Sequence, residues 1–233
     1  MKISDTTMAI LKNYASINES LIFREGNRLN TVTNSGNLIS FVNVAETFDI
    51  EAPIYNLNQF LNTISLFSDP VLDFKSNHVL IKDEGSSSVK YFYASAEVID
   101  IQDREPKMKE NILEFILEAE DLQALIKASG VLNLEDLVLS SAGDNLTLSA
   151  VDSKNPTSNN FSKIVGDNTL DVDFEFNFKA ASLKLIPGNY NVVFSGTTDK
   201  SGRQKFLASF SLIDSTLIYY IALDPSSKIN KTI

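Results

Sequence analysis

Three acidic residues at alternate positions, Asp171, Asp173 and Glu175, are the candidate oxygen ligands for a divalent cation. Their alternation with Val172, Phe174 and Phe176 puts them on one face of a strand. Same-face side chains there stand about 7 Å apart, whereas a divalent cation needs its oxygens gathered by a turn. The pattern therefore reads as a solvated stripe guarding a strand edge, with metal-dependent hydrolysis as the catalytic alternative. The single histidine, His78, falls in Lys75-Ser76-Asn77-His78-Val79, which reads as a hairpin turn. With no second histidine and no cysteine, it has nothing to share a metal with. The segment from Gly196 to Arg203 is bounded by glycine but lacks the Gly-Lys-Ser/Thr ending that grips a phosphate. The absence of cysteine removes disulfides, thiolate zinc sites and thiol nucleophiles together. No enzyme, metal or cofactor is expected.

The remaining chemistry is cationic and lies at helical spacing. Ile10, Leu11, Tyr14, Ala15 and Ile17 fall on one half of a helix over 6–17, leaving Ala9, Lys12, Asn13 and Ser16 outward. Asp5 is its expected N-cap. A second helix over 57–67 turns Leu57, Phe60, Leu61, Ile64 and Phe67 inward and Asn58 and Asn62 outward. A third over 120–129 hides Leu122, Leu125 and Ile126 and exposes Gln123 and Lys127. A short fourth over 179–185, carrying Lys179 and Lys184, must stop at Pro187-Gly188. Elsewhere strand signals dominate: Leu21–Phe23, Leu38–Val42, Val79–Ile81 and Val89–Tyr93 are β-branched or aromatic runs. Asn34-Ser35-Gly36-Asn37 and Gly143-Asp144-Asn145 have hairpin-loop composition.

The order of these elements repeats. Residues 1–105 and 112–233 each carry two helices among antiparallel strands, joined by a charged, proline-containing linker over 106–111. The fold class expected is α+β, two similar domains with helices packed on antiparallel sheet. No apolar run approaches the roughly 20 residues of a spanning helix, and Met1-Lys2-Ile3-Ser4-Asp5 turns polar too early for a secretory leader. An intracellular protein with no membrane contact is expected. Thirty acids against twenty Lys and Arg give a net charge of −10 over 233 residues. A conventional duplex binder gains affinity through a basic face, so contact with nucleic acid must here be local or enforced by geometry.

Particular strings then narrow the reading. Asp5-Thr6-Thr7 followed by Ile10-Leu11-Lys12-Asn13-Tyr14-Ala15-Ser16-Ile17-Asn18 closely resembles the N-terminal helix of the sliding clamps of T-even-type phages. Ile54–Leu61, Ala119–Leu125 and Pro187-Gly188-Asn189-Tyr190 match in the same order, and Tyr219–Leu223 fits the last strand. The resemblance implies the DNA-clamp fold assembled as a homotrimeric ring, with helices lining the hole and sheets forming the wall. It further implies that the ring encircles duplex DNA without reading sequence and tethers the replicative polymerase as a processivity factor. An ATP-dependent clamp loader would place it, late-transcription factors would be further partners, and its compartment would be the cytoplasm of the infected bacterium.

On this resemblance Lys12, Lys127, Lys179 and Lys184 are the candidate DNA-facing residues. Gly130 stands where a further cation is expected, and the second helix has none. Clamps of this kind capture partner tails, often polymerase C-terminal peptides, in an apolar pocket; Pro187, Tyr220, Leu223 and Pro225 are the candidates here. Glu114–Leu117 or Tyr219–Leu223 could instead form a subunit junction. A β-rich structural component of a phage virion is the non-clamp alternative, and the lysine-bearing helices argue against it.

Overall fold

The computed structural model describes residues 1–99, 102–155, 157–170 and 172–230, without the side chain of Ala142. The chain divides into two compact units, Met1–Glu105 and Pro106–Ile233.

Unit 1 begins with α1 (Asp5–Ile17). Its N-cap is Ser4 and not Asp5: the Ser4 hydroxyl accepts from Thr7 N, satisfying one free donor of the first turn. Asp5 instead supplies the acidic first turn that suits the helix dipole. After α1 come β1 (Leu21–Phe23), β2 (Gly26–Val32), β3 (Leu38–Phe48) and β4 (Ala52–Ile54). β1 pairs antiparallel with β4, and β2 with β3 across the Asn34–Asn37 turn. Gly36 there takes φ +70, a conformation that costs glycine nothing. α2 (Leu57–Ile64) is capped by Asn56, whose Oδ1 accepts from Gln59 N at 2.8 Å. It is a turn shorter than its apolar spacing suggests, although Phe67 beyond it is still buried. β5 (Val71–Phe74), β6 (His78–Lys82) and β7 (Ser88–Phe92) close the unit as a three-stranded antiparallel sheet in chain order. Phe23, Phe48, Phe60 and Phe74 meet in its core, with the Phe23 and Phe48 centroids 4.8 Å apart. Tyr14 is fully buried, and its hydroxyl meets Ser40 Oγ at 3.0 Å, so burial leaves no polar atom stranded.

Unit 2 opens with β8 (Glu110–Leu117), which begins inside the segment read as a linker. Then follow α3 (Ala119–Leu132), β9 (Asp136–Ala142), β10 (Asn145–Val151), β11 (Phe161–Asp167) and β12 (Phe174–Lys179). β13 (Tyr190–Thr198), β14 (Gln204–Leu212), β15 (Ile218–Ala222) and β16 (Lys228–Ile229) complete it. One antiparallel sheet runs β11-β10-β9-β12-β16; in a second, β13 lies between β8 and β14, and β14 pairs on to β15. The inner faces meet through Phe176, stacked on Phe194 at 4.9 Å and tilted against Phe206 at 5.1 Å.

The expected fourth helix does not form. Lys179 ends β12, and only a 3-10 turn, Ala180–Ser182, follows. No side chain caps that turn, and Pro187 disfavours helical geometry at Ile186, leaving too few residues to nucleate. The element order of the two units is nevertheless similar: a helix, four strands, a short helix or turn, then three strands in unit 1 and four in unit 2, where β8 also precedes the helix.

The acidic stripe is changed by the same strand. β12 buries Phe174, Phe176 and Phe178 and leaves Glu175 half-exposed, its carboxylate 3.5 Å from Lys228 of the partner strand β16. Asp171 lies outside the described residues. No grouping of three His, Cys, Asp or Glu able to hold a metal occurs among the described residues. No helix among them is long and apolar enough to cross a membrane.

Candidate nucleic-acid interface

The helix faces carry the candidate cations, and the packing of each helix decides which way they point. α1 buries Thr7, Ile10, Leu11, Tyr14, Ala15 and Ile17, so the 3.6-residue period leaves Ala9, Lys12 and Ser16 exposed. α2 buries Leu57, Phe60, Leu61 and Ile64 and exposes Asn58 and Asn62. α3 buries Leu122, Leu125 and Ser129 and lies against β10 and β11, tied down by an ion pair from Lys163 to Asp121. Gln123, Lys127 and Gly130 are exposed on it.

Ile126, expected inward, is instead 41% exposed, and Val131 is 70% exposed. The α3 stripe is thus narrower than its composition suggests. It is set by Leu122, Leu125 and Ser129, whose Oγ donates to Leu134 O at 2.6 Å as the helix ends on left-handed Asn133.

Lys12 and Lys127 make no ion pair among the described residues. Lys179 is different. Its ammonium pairs with the buried carboxylate of Asp136, its cross-strand neighbour on β9. Burial works to raise the Asp136 carboxyl, but hydrogen bonds from Lys179 and from the hydroxyl and amide of Ser153 outweigh it and hold the group below the ordinary aspartate value. The Asp136 hydrogen bond in turn raises Lys179. Lys179 therefore brings little uncompensated charge to this surface. Lys184 lies half-buried beyond the 3-10 turn and on no helix. Between the end of α3 and that turn runs a groove of about 380 Å³, walled in part by Gly130, Asn133, Lys179 and Ala180.

The four residues expected to form an apolar pocket lie on two segments, Pro187 before β13 and Tyr220, Leu223 and Pro225 on and after β15. Pro187 enters beside Leu212, against which Gly188 abuts. Leu223 N donates to Phe206 O at 3.2 Å, and Ile186 N, just before Pro187, donates to the hydroxyl of Tyr219 at 3.3 Å. Tyr220, only 5% exposed, sits opposite Ser209 within the pairing of β15 and β14. Leu223 is half-buried and Pro225 exposed at the end of that strand.

This architecture is shared with known proteins. Residues 114–224 match the family described as gp45 sliding clamp, C terminal. The sliding clamp of Vibrio phage KVP40 is 31% identical over 229 residues, covering 96% of this chain and 99% of that one. Among solved structures, PCNA from Thermococcus kodakaraensis superposes with a TM-score of 0.66 at 13% identity, over 94% of this chain and 96% of that one. The Helicobacter pylori beta clamp bound to a DNA ligase peptide gives 0.66 at 15% identity, over 96% of this chain and 64% of that one. A two-unit antiparallel fold, an acidic chain with unpaired lysines on its helix faces and a match running nearly end to end with a phage relative lead to one assignment: the chain belongs to the phage sliding clamp family.

Proposed function

We propose that this sliding clamp, a processivity factor for a DNA polymerase, works as a closed homotrimeric ring without an active site of its own. It is held on duplex DNA by enclosure and not by contact energy. The observation that carries this reading is the exposure of Lys12 on α1 and Lys127 on α3, neither in an ion pair among the described residues, in a chain of net charge −10. A few diffuse cations give weak, sequence-independent phosphate contact, which permits sliding because no base edge is read. The net acidic character of the rest of the chain disfavours DNA elsewhere on its surface as a whole. Lys184 would add to the inner charge, and Lys179 little, since Asp136 already holds it.

Sheet edges suggest how the ring closes. β7 and β11 each end their sheet, and each exposes a large apolar residue, Phe92 at 63% and Ile164 at 59%. Unprotected edges of this kind are templates for another strand. Pairing β7 of one copy with β11 of the next is a head-to-tail contact, which generates a ring when its rotation closes. Partner tails, among them a polymerase C-terminal peptide, would dock at the Leu223 and Pro225 end of β15, as the H. pylori beta clamp binds a ligase peptide. Pro187 would border that site through Ile186, whose N donates to the hydroxyl of Tyr219, and Tyr220 would support it from beneath. An ATP-dependent loader would open the ring in the host cytoplasm, and late-transcription factors would share the tail site.

Sedimentation tests the assembly, and Lys12→Glu combined with Lys127→Glu tests the interface. The expected result is a trimer in both wild type and double variant, with loading or polymerase stimulation lost only in the variant. A monomer at micromolar concentration, or a double variant whose trimer dissociates, would contradict the reading.

A further inference from the structure

Unit 2 gathers an excess of positive charge at one end of its second sheet. Lys107 and Lys109 lead into β8, whose first residues Glu110 and Asn111 pair with Gly196 and Ser195 near the end of β13. Lys109 N donates to Ser195 Oγ at 2.8 Å, which fixes that approach. β13 then turns through Asp199–Arg203 into β14, where Lys205 faces Thr197. Lys107, Lys109, Lys200, Arg203 and Lys205 are therefore placed by register at the same end, and all are exposed. They are five of the twelve Lys and Arg in unit 2, and none makes an ion pair among the described residues.

The acids nearby, Asp199, Asp224 and Glu110, are fewer than the five cations and offset only part of their charge. Asp199 accepts from the amide and hydroxyl of Ser201 and from Arg203 N, bonds that together with the Lys205 charge hold it below the ordinary aspartate value and so ionised. Asp224 is similarly occupied by the amide and hydroxyl of Ser226. Glu110 is the one exposed acid at the start of β8. Leu223 reaches this end too, through its bond to Phe206 O.

We propose that this cationic end of unit 2 is a docking surface for the acidic residues of a partner protein's extended segment. Charge complementarity selects the occupant: on a chain of net charge −10, an acidic peptide meets favourable potential only where cations are concentrated and unpaired. β8 is also the end strand of its sheet, so an extended backbone finds a free edge beside the cations. Duplex DNA fits less well, since a compact cluster at a hairpin tip cannot follow a phosphate backbone. The inference deepens the tail-capture reading and rests on it only for the apolar anchor at Leu223. The charged part is tested alone.

The test is fluorescence anisotropy at low salt with a short labelled peptide of alternating Glu and Asp and no apolar residue. The full chain is compared with K200A/R203A/K205A and with a charge-matched control, K75A/K82A/K154A. Binding to the full chain and the control, weakened about tenfold in the first variant and reduced by salt, supports the proposal. K107A/K109A should weaken it in the same direction, and an unchanged thermal melt shows that each variant is folded. Equal binding by all variants, equal binding of the Gln/Asn version of the peptide, or a short duplex bound through these residues in place of the peptide would overturn it. Loss of Leu223-dependent tail capture with acidic-peptide binding intact would remove the anchor and leave this surface standing.

Discussion

At the scale of single residues, the exposed cations divide by what already holds them. Lys179 and Asp136 form a cross-strand pair in which the carboxylate is the buried partner. Because the folded value of Asp136 is lowered, its contribution to stability is complete above about 3.8, the unfolded value, and is lost as pH falls through the lowered folded value. Lys179 is raised, so its contribution is complete below 10.5 and is lost as pH rises through the raised folded value. The pair should therefore add no pH dependence to stability between about pH 5 and 9. The Asp136 carboxyl, followed by carbon NMR, should titrate below 3.8 in the wild type and at higher pH in Lys179→Met. A wild-type midpoint at or above the ordinary value would show that the pair is not formed in solution.

Among the elements, the three α-helices were legible because each buries an apolar stripe at 3.6-residue spacing, and strands such as β1, β6 and β7 because β-branched runs end at polar turns. The fourth helix was misread: Lys179–Leu185 has helical spacing, but cross-strand bonding to β9 draws Lys179 into β12 before a helix can start. Ile126 was misplaced for a related reason, since the inward face of α3 is set by where β10 and β11 lie, which local pattern does not record. Long-range register likewise collects Lys107 with Lys205, which cannot be read from sequence spacing. The sheets of unit 2 depend on Phe176, fully buried between Phe174, Phe194 and Phe206. Phe176→Ala should cost about 3–5 kcal/mol, measured by denaturant unfolding. A loss under about 1 kcal/mol would mean the two sheets do not pack through this ring.

For the whole molecule, the acidic composition and the DNA-associated family are reconciled if charge is distributed by surface. The helix faces keep Lys12 and Lys127 out of ion pairs among the described residues, and unit 2 adds a group of cations around the β13–β14 hairpin. Tail capture at the end of β15 predicts that Leu223→Glu abolishes stimulation of the polymerase while sedimentation still reports a trimer. Undiminished stimulation would move the tail site elsewhere.

The central claim is retention by enclosure. The protein is loaded with its ATP-dependent loader onto nicked circular DNA, washed in salt high enough to screen phosphate contacts, and then exposed to a nuclease that linearises the circle. The account predicts that it stays on the circle through the wash and runs off once free ends exist. A protein stripped from the circle by salt, or one that remains on the linear product, would contradict it.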